Sequence, residues 1–159
     1  AGSAVESDVS SYASWYAPNG IFFDEMASSG SVSYYQALKT YAASLGFEVT
    51  VGNPGTAIAS DLHGIFSFLN EYEDFGMPSS VPQGSSYIAH DVPTLPAADA
   101  VFAGAASYVY ITDGPGGDHA GAYASLPTYF AAEIAELVPG AAHTDAIDAE
   151  GAVSLNHPG

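Results

Sequence analysis

The chain has 159 residues, enough for one domain with a real core, and sets 18 acidic residues against a single base, Lys39, for a formal net charge of −17. Nucleic acid is thereby excluded as a partner, because phosphate binding needs lysine and arginine to displace counterions. With no cysteine there is no disulfide framework, thiolate metal site or thiol nucleophile, and no stretch approaches the roughly 20 apolar residues of a membrane span.

The N-terminal stretch Ala1 to Ser10 lacks the basic and apolar regions of a signal peptide, so it reads as the start of a mature or processed chain. Pro18-Asn19-Gly20 is a turn signal, and Ile21 to Phe23 after it predict a short buried strand that ends in Asp24-Glu25. Helical spacing of Val32, Tyr35, Leu38, Ala42 and Leu45 predicts a helix over 32–45, with Gly46 as its C-terminal cap. Phe47 to Val51 alternates like a strand and runs into the breaker-rich loop Gly52-Asn53-Pro54-Gly55-Thr56. A third strand is expected over Leu62 to Leu69, a fourth over Ser86 to His90 with a short helix at 97–104 behind it, and a fifth over Tyr108 to Asp113. The last helix is expected to start near Ser125 and Pro127, to bury Phe130, Ile134, Leu137 and Val138, and to stop at Pro139-Gly140. Residues 1–138 then form one domain and 139–159 a C-terminal tail.

Strands alternating with helices imply a parallel α/β sheet, and right-handed crossovers carry such a sheet toward a barrel. In barrel enzymes, acids at the C-terminal ends of strands are where the chemistry sits. Asp24, Glu25 and Asp113 occupy such positions, and Asn53 and His90 follow apolar segments at equivalent points. No two of the five histidines share a helical face, and Gly114-Pro115-Gly116-Gly117 lacks the lysine of a phosphate loop, so neither a metal nor a cofactor is expected. Tyrosines at strand ends suit sugar binding, since their faces stack on pyranose rings; Tyr34, Tyr72, Tyr87, Tyr110 and Tyr123 are the candidates.

Six segments in order, Tyr12 to Tyr16, Gly20 to Glu25, Asn53 to Thr56, Ala89 to Val92, Tyr108 to Asp113 and Leu126 to Tyr129, resemble the spherulin-4-like family, which is related to glycoside hydrolases that cut galactosamine-containing polysaccharides. The resemblance implies a (β/α)8 TIM barrel of which this chain supplies strands four to eight, with Asp24 and Glu25 matching the catalytic acidic pair. By that resemblance Leu69 stands where the family carries a second carboxylate; Glu71, two residues on and on the same face, and Asp113 are the candidates to replace it, and from their strand-end positions Asn53, Tyr34, Tyr72, His90 and Tyr110 are the expected substrate-binding residues. The expected partners are a polysaccharide and either a second polypeptide or further copies of the chain to complete the barrel, with no nucleic acid or membrane. An extracellular glycoside hydrolase is the expected function, and a catalytically lapsed carbohydrate-binding protein of a coat or assembly is the alternative.

Overall fold

The computed structural model describes residues 2–97, 106, 108–115 and 120–137. Helix α1 (Gly2–Tyr16) leads into β1 (Gly20–Phe23), α2 (Val32–Ser44) and β2 (Val49–Gly52). A 3-10 turn (Ser60–Leu62), β3 (Phe68–Phe75), β4 (Ser86–His90), β5 (Tyr108–Ile111), α3 (Ala120–Tyr123) and α4 (Phe130–Leu137) follow. The five strands form one sheet in chain order, every neighbouring pair parallel. All their C-terminal ends therefore open on one side, where side chains from separate strands can meet.

One face of the sheet is covered by helices. Val5, Val9 and Ala13 recur every fourth residue along α1 and pack on Phe23, Tyr35, Leu38, Ala42, Phe66 and Leu69. Helix α2 ends as expected: Gly46 takes φ 95°, its N–H bonds the Ala43 carbonyl, and the Phe47 N–H reaches back to Ala42 at 3.2 Å, closing a Schellman motif. A second apolar cluster, with Val81, Tyr87, Ala89, Val92 and Ile111 buried and Val109 and Tyr129 packed against them, lies behind β4 and β5. On the opposite face Phe68 of β3 stacks on Tyr108 of β5, ring centroids 4.2 Å apart, although β4 lies between them. That contact is possible because the intervening position on the face is the small Ser86, whose hydroxyl turns to Asn70.

Two expectations are corrected, and one element is added. The third strand begins at Phe68, six residues later than the apolar run 62–69 suggests, because Gly64 at φ 77° breaks the run and Ile65 and Phe66 fold under the sheet as core. The last helix starts at Phe130, Pro127 serving only as a turn acceptor for the Phe130 N–H. A further helix, α1, occupies the N-terminus. The short helix expected at 97–104 and the tail at 139–159 lie outside the described residues.

Helix α4 meets the sheet through a carboxyl. Glu133 is buried beside Tyr87 and Tyr129, and its Oε2 bonds no described residue. Burial pushes its pKa up to about 7, against a backbone hydrogen bond from Ile111 that pulls the other way. Because the folded value is raised, the protonated carboxyl contributes stability fully below its ordinary pKa of 4.5, and that contribution is lost as pH rises through about 7. Thermal melts should therefore show the chain losing roughly 2 kcal/mol between pH 5 and pH 8, with Glu133→Gln flattening the loss. An unchanged pH dependence in the variant would show that another group is responsible.

Candidate functional site

Asp24 follows β1 directly, and Glu25 after it adopts φ 53°, a left-handed conformation that a non-glycine residue takes at a cost. The Glu25 N–H bonds Asp24 Oδ1 at 2.9 Å. Across the sheet Asn53, one residue past β2, is 4% exposed and donates through Nδ2 to Asp24 Oδ1 at 2.8 Å and to Glu73 Oε2 at 2.7 Å. Its Oδ1 accepts from the Gly55 N–H and from Asn70 Nδ2, at 2.9 and 2.7 Å. The Gly55 N–H can only donate, so the amide orientation is fixed by its partners.

Glu73 reaches this cluster through a bulge. On β3, Asn70 pairs with Ser86 and Glu73 with Ile88, so three steps on β3 match two on β4. The extra residue reverses the alternation, putting Asn70 and Glu73 on one face although they are an odd number of positions apart. Its second oxygen, Oε1, accepts from the Tyr123 hydroxyl. The His90 and Tyr123 rings lie nearly perpendicular, and Tyr123 stacks on Tyr110 at 6.1 Å and 20°.

The cluster thus unites Asp24, Glu25, Asn53, Glu73, Tyr110, Tyr123 and His90. Tyr34 lines, with Asp24, Glu25, Phe22 and Tyr12, a groove of about 720 Å³ that runs along the outer edge of β1. Other expected residues lie elsewhere. Glu71 is buried against His63, Oε2 to Nε2 3.3 Å, and makes none of the cluster's hydrogen bonds. Leu69 is 5% exposed within the core beneath the helices, on the face opposite Asn70, so it is a packing residue. Tyr72 packs with the second core, its hydroxyl bonding the carbonyls of Phe75 and Gly76. Asp113 stands at the end of β5 but clasps the N–H and hydroxyl of Thr128, which holds its carboxyl below the ordinary range and ties β5 to the start of α4. Among the described residues no group of three or more histidine or acidic side chains is placed to hold a metal ion.

Glu73 and Asn70 escaped the sequence reading because strict alternation pairs Leu69 with Glu71. The signal present was polarity on both parities of one strand, Asn70, Glu71 and Glu73, which an unbroken strand with one apolar face does not carry.

No curated protein matches this sequence. The fold is similar to that of Sph3 from Aspergillus clavatus, crystallised in complex with GalNAc, with a TM-score of 0.71 at 20% identity over 86% of this chain and 66% of that one. Residues 1–137 match the spherulation-specific family 4. The chain therefore belongs to the spherulation-specific family 4.

Proposed function

We propose that the chain is the catalytic portion of a glycoside hydrolase acting outside the cell on a galactosamine-containing polysaccharide, with Asp24, Glu25 and Glu73 as its acids. One observation carries the reading: a single buried amide bonds Asp24 and Glu73 at 2.8 and 2.7 Å, so the two accepting oxygens are at most their sum, 5.5 Å, apart. Glycoside hydrolysis uses two carboxyl groups in separate roles, and the amide holds one of them, Glu73, beside Asp24 at the strand mouth, one residue from Glu25. Glu73 accepts hydrogen bonds on both oxygens, the pattern of a carboxylate anion, and suits attack on the anomeric carbon. Glu25, exposed just past the end of β1 at the same mouth, is the acid assigned to protonate the departing oxygen.

The similarity to a protein crystallised with GalNAc supports the sugar class, and the −17 charge favours partly cationic polymers carrying free amino groups. Phe22 of β1 and Tyr108 of β5, on the open edges, remain 48% and 57% exposed. Among the described residues no further strand pairs with β1 or β5, and a bare edge leaves a ladder of N–H and C=O groups unpaired, which supports completion of a (β/α)8 barrel by further strands. Light scattering on the chain alone should then show self-association; a monodisperse monomer would count against completion in trans.

Hydrolysis of an N-acetylgalactosamine polymer, followed by reducing-end release, should fall about 10²–10⁴-fold in Glu73→Gln and in Glu25→Gln. Glu71→Gln should leave the rate unchanged, and Leu69→Glu should unfold the core instead of raising the rate, since it buries a carboxylate without a partner. Binding of the polymer without hydrolysis by the unmodified chain would favour the lapsed carbohydrate-binding protein. A separate measurement addresses strain at the site: Glu25→Gly relieves the left-handed residue and should stabilise the fold by about 1 kcal/mol while abolishing turnover. A less stable Glu25→Gly variant would show that the Glu25 side chain supports the fold.

A further inference from the structure

We infer that Tyr123 is a positioning residue for Glu73, fixing the carboxylate for attack from a segment fifty residues further along the chain. This rests on the glycosidase reading. Asn53 holds only Oε2, and a carboxylate gripped at one oxygen still turns about its last side-chain bond. The Tyr123 hydroxyl closes on Oε1 and removes that freedom.

The segment bearing Tyr123 is built for accurate placement. A Cβ on Gly114 would meet the Gly121 carbonyl at 2.9 Å, and one on Gly121 would meet the Pro115 carbonyl at 2.7 Å, so both glycines let α3 settle backbone to backbone on the loop after β5. The Tyr110 hydroxyl donates to the Ala122 carbonyl at 3.2 Å, and its ring lies under that of Tyr123. His90, wholly buried, sets its ring edge-on at 6.4 Å. Burial first, then the hydrogen bond to Glu73 and the charges of Glu73 and Asp24, push the phenol above the ordinary tyrosine range. It therefore stays a donor across the working pH of a hydrolase. A misplacement of about 1 Å at a reacting group costs on the order of 10²-fold in rate, which sets the scale of the effect.

The test compares the full chain with Tyr123→Phe, which keeps the ring and loses only the hydroxyl. On an N-acetylgalactosamine polymer, kcat should fall about 10–100-fold with KM unchanged. A rise in KM alone would make Tyr123 a sugar platform, and an unchanged kcat would make its hydroxyl idle; either overturns the inference. A second readout needs no turnover. In protein labelled at tyrosine Cζ, the resonance that Tyr123→Phe deletes should ionise at lower pH in Glu73→Gln than in the unmodified chain, because its charged partner is gone. If the unmodified chain hydrolyses nothing, the glycosidase reading fails, and the labelled spectrum still decides the contact: an unmoved titration overturns it.

Discussion

The Asn53 amide is the constraint on which the site depends. It bonds strands β1 and β3 through Nδ2 and receives Asn70 and Gly55 on Oδ1, so all its hydrogen-bonding capacity is used in a position that is 4% exposed. A carboxylate in its place would set a third negative charge against two. An aliphatic residue would strand Asn70 and the Gly55 N–H without partners, each costing about 1–3 kcal/mol. Only a side chain that donates twice and accepts twice reconciles two adjacent acids with the loop that follows β2. The backbone supports the same joint, since the Asn53 N–H bonds the Phe23 carbonyl at 2.8 Å and the Met26 N–H bonds the Asn53 carbonyl at 2.9 Å.

The amide would find nothing to hold on β3 without the bulge. Unbroken alternation after Asn70 would aim Glu73 at the helix-covered face, where Tyr72 and Leu69 pack. One inserted residue lets a core strand keep its apolar side while delivering a second carboxylate to the mouth. Bulges recur beside active sites because they re-aim side chains, here by shifting the register of β3 against β4 by one residue.

This explains what could be read in the sequence. Features governed by a single local rule were legible: β4 over Ser86 to His90, the Gly46 cap of α2, and Asp24-Glu25 at the end of β1. Their neighbours in sequence determine them. Features that depend on register between strands were not legible, since the reversal at Asn70 to Glu73 is defined only against β4. Nor was Tyr123 legible as Glu73's partner, because α3 reaches β3 only through the close approach at Gly114 and Gly121. Tyr123 was already among the tyrosines singled out for sugar stacking, and the fold gives it a hydrogen bond as well.

Strain at the site follows the same geometry. Glu25 and Asp91, each just past the end of a strand at the same side of the sheet, have φ 53°. Asp91 is held there by its own N–H to the Gly114 carbonyl, and Val92 by its N–H to Thr112, at 3.1 and 3.0 Å. These bonds draw the chain after β4 sideways onto β5 instead of onward, which keeps the mouth open above His90. Glu25 makes the corresponding turn after β1, and its N–H closes on Asp24 while Met26 drops into the core. In both cases a left-handed residue converts the end of a strand into a ledge. The ledge at β1 presents two acids to solvent, and the one at β4 leaves room for the Tyr123 ring, so the backbone cost of about 1–3 kcal/mol at each is what separates a strand mouth from an ordinary turn.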